Sequence, residues 1–399
     1  MTATPARPGS RPSAPTTGWL TREDCHLEDL IEVLADETRP ADYPHASRVE
    51  REVLVYDAAT LRHTAADPAT RRDVQAELAR ALSEGPGIVV LAGALDPAVV
   101  DRATAAFERM ITDQRATGTG AGDHFAKPGA NDRVWNALEK LAVTDPETFV
   151  AYYANDLLAL AATAWLGTGY QVTSQVNVVN PGGEGQTVHR DYHLGFQSDE
   201  VCAGYPAHVH ALSQALTLQG AVAHVDMPVE SGPTLYLPHS QKYAHGYVAY
   251  RRPEFQEYFV AHHVQLPLAK GDAVFFNPAL FHAAGTNHSA DIKRMANLLQ
   301  ISSAFGRAME TVDRARVVGA IYPALQAARP GLSEQEVANV IAASAEGYSF
   351  PTNLDRDQPI GGLAPHTQAE LVADALRDGM PLGELRDRLT ARDAARLSH

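Results

Sequence analysis

The residues best able to do chemistry in this 399-residue chain lie in VHRDYHLGFQ (188–197), a few residues after the turn-forming Pro181-Gly182-Gly183. In an extended strand, side chains two apart share a face. His189, Asp191 and His193 then point one way, and Arg190 and Tyr192 the other. Neighbouring same-face positions are separated by roughly 6.6 Å, so His189 and His193 would be roughly 13 Å apart. An imidazole and a short carboxylate can meet on one ion at the smaller spacing, whereas the two histidines cannot unless the strand bends. This selects His189 with Asp191 as metal ligands and leaves His193 for the substrate or for support. A two-histidine, one-carboxylate iron site needs one more histidine. The best donor is His282 in GDAVFFNPALFHAAGTNHSADIKR (271–294), where the chain leaves an apolar strand among small residues. His288 is its rival, in a polar Thr-Asn-His-Ser setting that favours exposure. An HxD pair also arises by chance, and a strand histidine can simply be hydrogen-bonded. No HExxH, P-loop GKS/GKT, G-x-S-x-G elbow or well-placed GxGxxG competes with the metal reading.

The elements around these residues change texture along the chain. From about 171 to 307, short β-favouring runs (QVTSQVNVV, ALTLQGAVAHVDM, TLYL, HHVQLPL, DAVFFNP, MANLLQIS) alternate with Gly, Pro and polar turns. That spacing predicts an antiparallel barrel or jelly roll, and crossover helices for a parallel Rossmann sheet are lacking. Eleven of the 17 histidines fall between 189 and 288, the same region. The expected fold class is mainly β with surrounding helices (α+β), a double-stranded β-helix of cupin-like type. Residues 1–18 read as a flexible tail, 19–170 as mixed helical and strand cladding, 171–307 as the catalytic core, and 308–399 as a helical extension packed on it. Within the cladding, REVLVYD (51–57) and IVVL (88–91) read as strands, and 131–141 as a short helix carrying Trp135. Helices start at Asp67-Pro68 and Asp96-Pro97, where Asp caps and Pro fills the first turn. Ser333 with Glu336 and Thr367 with Glu370 are capping-box signatures.

Composition bounds the rest. Hydrophobic residues at 45% against 20% charged describe a globular chain. A formal charge of -15 argues against a surface specialised for nucleic-acid phosphates. Two cysteines, Cys25 and Cys202, cannot staple a scaffold. Arg7 and Arg11 are followed by no apolar segment, so no secretory signal is expected. The apolar stretch 149–167 is interrupted by Asn155 and Asp156, which favours a buried helix over a membrane span. The expectation is a cytoplasmic protein with a polar small-molecule substrate, no nucleic-acid or membrane partner, and room for homo-oligomerisation.

Four ordered motifs over roughly residues 85–305 carry a family likeness: GIVVLAGALDPAVVDRATAAF (87–107), HRDYH (189–193), SGPTLYLPHSQKYAHG (231–246) and FHAAGTNHSADIKR (281–294). Together they resemble the phytanoyl-CoA dioxygenase-like branch of Fe(II)/2-oxoglutarate oxygenases. The resemblance implies that His189, Asp191 and His282 bind Fe(II), and that Arg294 binds the far carboxylate of 2-oxoglutarate, with Arg307 as fallback. It places Gln175, Asn177 and Thr234 near the cosubstrate. It implies consumption of O₂ and 2-oxoglutarate, release of succinate and CO₂, and oxidation of a C–H bond by hydroxylation, desaturation or cyclisation. Related halogenases carry a small residue in place of Asp191, so its presence favours an oxygenase outcome. Candidate substrate contacts are His193, Arg190, Phe196, His224, Tyr236, Trp135, Arg133 and His124, of which Trp135 and Phe196 also suit a core. The competing readings are a non-oxidative metal enzyme on a cupin-like barrel and a non-catalytic ligand-binding barrel.

Overall fold

Runs such as IVVL and AVFF place apolar side chains at consecutive positions, so a strand made from them needs cover on both faces. The computed structural model describes residues 18–118 and 129–399. His124 and nearly all of the expected tail lie outside the described residues. Eleven strands form among the described residues: β1 (Arg48–Glu50), β2 (Val53–Asp57), β3 (Ile88–Ala92), β4 (Asn131–Val134), β5 (Gln171–Val179), β6 (Thr217–Ala223), β7 (Leu235–Leu237), β8 (Val264–Gln265), β9 (Ala273–Phe276), β10 (Phe281–Ala283) and β11 (Arg294–Ser302). Eight build one sheet in the order β1-β2-β3-β9-β6-β11-β5-β4, and three build a second in the order β10-β7-β8. Only β2 and β3 pair in parallel.

The expected double-stranded β-helix, jelly roll or cupin-like barrel is not what forms. Both sheets are open, with β1 and β4 at opposite edges of the larger one. Helix exceeds strand, at 47% against 16% of the described residues. The β-favouring runs of the core shrink to strands of two to nine residues, and helices such as Ala207–Ala215 and Pro253–His262 intervene. β7, β8 and β10 are too short to close a barrel against the larger sheet. The front segment supplies half of the large sheet, β1 to β4. Asn131–Val134 is a strand where a helix is expected, because Arg133 and Val134 pair with Asn177 and Val176; the helix starts only at Ala137.

Alternation along the strands divides the molecule. Val172, Val176 and Val178 of β5, Leu218 and Val222 of β6, and Met295, Leu299 and Ile301 of β11 face the helices and join the main core with Phe107, Phe149, Leu160 and Ile321. On the other side, Val53, Val55, Ile88, Val90, Val274 and Phe276 pack with Tyr236, Leu266 and Leu280. The sequence-marked helix starts hold: Asp67 and Asp96 cap Pro68–Ser83 and Pro97–Thr117, and both capping boxes close. The apolar stretch 149–167 falls in two helices, Pro146–Tyr153 and Asp156–Leu166, bent by 61°, rather than one. The Asn155 side chain causes the break by accepting from the N–H groups of Leu157 and Leu158. No single helix among the described residues is long and apolar enough to cross a membrane.

Candidate metal centre

The chain after Val188 is strand-like for one residue only. His189 and His282 form an isolated bridge, exchanging N–H···O bonds of 2.9 and 3.2 Å. This pairing of residues far apart in sequence places their rings 4.4 Å apart, centre to centre. The Asp191 N–H then donates to Pro278 O at 3.0 Å. Tyr192 and His193 take positive φ, 57° and 48°, and the chain enters a short 3-10 turn over His193–Phe196. The expected alternation therefore fails after Asp191. Arg190 goes one way into an apolar pocket, and Tyr192 does not follow it.

His189, Asp191 and His282 bring their ligand atoms within 4.8 Å of one another. The His189 Nδ1 lies 2.8 Å from Thr187 O, and the His282 Nδ1 lies 2.9 Å from Leu280 O. A carbonyl only accepts, so in each ring Nδ1 carries the proton and Nε2 is left with a lone pair. Those Nε2 atoms face Asp191, at 3.7 Å from Oδ1 for His189 and 3.2 Å from Oδ2 for His282. Burial opposes the Asp191 charge, and Gln219 Nε2 supports it by donating a hydrogen bond to Oδ2. Two nitrogen lone pairs and a carboxylate pointed at one spot repel each other unless a cation lies between them. The donor set is the two-histidine, one-carboxylate type that suits ferrous iron, and the carbonyl partners orient both imidazoles. Phe276 packs edge-on against His282 at 4.8 Å, and Tyr236 pairs with it across β7 and β10.

Arg294 opens β11 nearby. Its Nη1 donates to Ser231 O (3.1 Å) and to Gly285 O (3.0 Å), three residues past His282. It is 7% exposed, burial pushes its pKa down to about 10, and among the described residues no carboxylate pairs with it. A buried guanidinium without a counter-charge is costly. One that keeps Nε and Nη2 free of protein partners is set to take a bidentate anion.

The remaining sequence candidates separate. Gln175 is buried and accepts from Arg133 Nη1 (3.1 Å), and the Arg133 guanidinium stands 4.9 Å from the Trp135 ring. Asn177 pairs with Arg133 across β5 and β4, and Thr234 lies close to the Tyr236 hydroxyl. His193 reaches Thr217 Oγ1 at 3.1 Å, and burial lowers its pKa. Phe196 is exposed beside Tyr192. Arg190 lies away from the metal cluster, donating to Ser240 O and Tyr243 O between the rings of Tyr247 and Phe281. His224 lies on the helix side of the sheet, between Thr104 Oγ1 (2.8 Å) and Tyr152 Oη (3.1 Å). His288 and Arg307 are exposed. Gln219, which holds Asp191, is a site residue that sequence reasoning missed. Alternation along ALTLQGAVA marks Gln219 as a polar residue facing opposite Leu218, which is the one local signal for it.

A family model for phytanoyl-CoA dioxygenase (PhyH) matches residues 83–295, more than half of the chain. No curated protein matches the sequence. Similar solved structures include the non-heme alpha-ketoglutarate-dependent epimerase SnoN from nogalamycin biosynthesis, 21% identical over 60% of this chain and 82% of that one, with a TM-score of 0.40. AviO1 from Streptomyces viridochromogenes Tue57 is 18% identical over 58% and 96% of the two chains, with a TM-score of 0.43. HygX from Streptomyces hygroscopicus, solved with nickel, 2-oxoglutarate and hygromycin B, is 14% identical over 57% and 87%, with a TM-score of 0.42. The chain belongs to the phytanoyl-CoA dioxygenase family of Fe(II)/2-oxoglutarate-dependent enzymes.

Proposed function

We propose that this enzyme oxidises an unactivated C–H bond of a polar small molecule in specialised metabolism, with hydroxylation as the first expected outcome. The observation that carries the reading is the pairing of the His189, Asp191 and His282 cluster with Arg294, a buried cation that lacks a carboxylate. His189 and His282 would offer Nε2, and Asp191 one oxygen, to Fe(II). Arg294 would grip the far carboxylate of 2-oxoglutarate. Bound there, iron and 2-oxoglutarate would supply O₂ activation, coupling decarboxylation of 2-oxoglutarate to succinate and CO₂ to oxidation of the substrate. The protein's share is orientation. Thr187 O and Leu280 O fix the two imidazoles, Gln219 fixes Asp191, and Ser231 O with Gly285 O fixes Arg294.

Anaerobic titration with Fe(II) and 2-oxoglutarate tests this through the weak visible charge-transfer band of the chelate. The band is expected with the wild-type chain and is lost in His189→Ala. Arg294→Ala should weaken 2-oxoglutarate binding by about a hundredfold. Absence of the band in the wild-type chain, with no succinate formed in air, would leave a non-oxidative metal enzyme or a ligand-binding protein.

A further inference from the structure

Beyond the metal ligands, the site-facing side of the large sheet continues as a polar floor. Gln219 on β6, Gln300 on β11 and Thr173 on β5 stand side by side in register, and Gln175 and Asn177 follow on the same face of β5. Tyr192 is buried next to Asp191, with Gln300 and a second acid close by.

Glu310 is that second acid. Its Oε1 accepts from the Asn136 N–H at 2.7 Å, while Oε2 is buried with no hydrogen-bond partner among the described residues. Gln175, 1% exposed, faces the same carboxyl, yet its Nε2 closes no full hydrogen bond. Asn177 Oδ1, Asn136 Oδ1 and Gln219 Oε1 are likewise buried with no hydrogen-bond partner among the described residues. Buried polar atoms left bare are destabilising and rare in folded proteins. Among the described residues these bare atoms are mostly acceptors. The missing complement is therefore rich in O–H or N–H groups. Burial pushes the Glu310 pKa up, and Lys140 and Arg133 already lie near its carboxyl, which favours neutral hydroxyls over an ammonium group. From β6 to β5 is two strand spacings, roughly 10 Å, so the complement is larger than a single short chain.

We propose that Glu310, Gln175 and Asn177 form a recognition subsite for hydroxyl groups, and that the substrate is a neutral polyhydroxylated molecule of sugar or cyclitol type. It lies with its hydroxyl-bearing end over β5 and its reacting carbon toward Asp191. The proposal rests on the functional reading above and adds the substrate class to it.

Saturation-transfer NMR tests it on the full chain loaded with Zn(II) and 2-oxoglutarate. The probes are inositols, methyl glycosides and disaccharides, set against cyclohexanol and short carboxylic acids. Polyols should show transfer, and the hydroxyl-free acids none. For the tightest polyol, Glu310→Ala should weaken binding by about tenfold or more, and Glu310→Gln and Asn177→Ala by about threefold each. Circular dichroism checks that each variant folds, and the two milder variants keep the test valid if Glu310→Ala does not. No transfer to any polyol, tighter binding of the acids, or equal binding by all folded variants would overturn the subsite. The Fe(II) and 2-oxoglutarate absorption band reports on the enzyme reading separately. A band without polyol binding removes the subsite alone, and polyol binding without a band removes the oxygenase reading.

Discussion

The two faces of β5, β6 and β11 bury polar groups for opposite reasons. On the helix-covered face, Asn297 donates to Tyr152 Oη at 3.3 Å, Tyr152 and Thr104 hold the two nitrogens of His224, and Tyr153 reaches Ser174 at 3.4 Å. With the exception of Asn297 Oδ1, these groups satisfy each other among Val176, Val222 and Leu299. On the opposite face, Gln219 Nε2 is committed to Asp191, while Gln175 Nε2, Asn177 Oδ1 and Glu310 Oε2 are buried with no hydrogen-bond partner among the described residues. Burial of a histidine is thus no mark of function. His224 is more deeply buried than His282, yet it completes a closed network, whereas His282 faces a carboxylate with its lone pair.

Four measurements would break or sharpen this contrast. The largest effect is expected at Asp191→Ala, which should reduce succinate formation by well over a hundredfold, since even the groups that support metal ligands are worth 10–100-fold. Retained turnover would show that the polar face is not the reacting one. Leu299→Ala, on the helix face, should cost about 2–5 kcal/mol of stability in chemical unfolding. It should leave Fe(II) affinity unchanged, and a matching loss of iron binding would erase the division between faces. Gln219→Ala should lower Fe(II) affinity by about tenfold with little change in melting temperature, because it frees Asp191 to turn. The smallest effect is a pH dependence. Burial pushes the His224 pKa down from 6.5 to about 3, so the unfolded chain takes up the proton first. Stability is then complete above about pH 6.5 and falls as the pH drops toward 3. Thermal melts at about pH 5 and about pH 7.5 should show a smaller difference in His224→Gln than in the wild-type chain.

Much of the site was legible in local pattern. HRD offers an imidazole and a carboxylate at short spacing, and His282 stands at the end of an apolar strand. The β5 and β11 segments, the two capping boxes and the Asp-Pro helix starts follow directly from residue type. The open sheets were not legible, because the β-favouring texture of 171–307 says nothing about how strands from the front segment insert beside β9. The direction of Arg190 was also hidden. Extended geometry would have left it available to substrate, but the left-handed backbone at Tyr192 and His193 turns the chain. The guanidinium then fits against Gly246, where a Cβ would collide with it.

The sequence by itself determined which donors exist and how they are tuned: two histidines and one aspartate, an arginine at the head of a strand, and glutamines and asparagines at alternate strand positions. Periodicity of two or 3.6 residues is a property of the local backbone, and it survives without knowledge of distant neighbours. Only the tertiary structure decided that His189 would bridge His282, that Gln219 would hold Asp191, and that Glu310 would lie over the β5 floor. Those meetings join residues far apart in the chain, and they are fixed by strand register and by packing, which no short window of sequence contains.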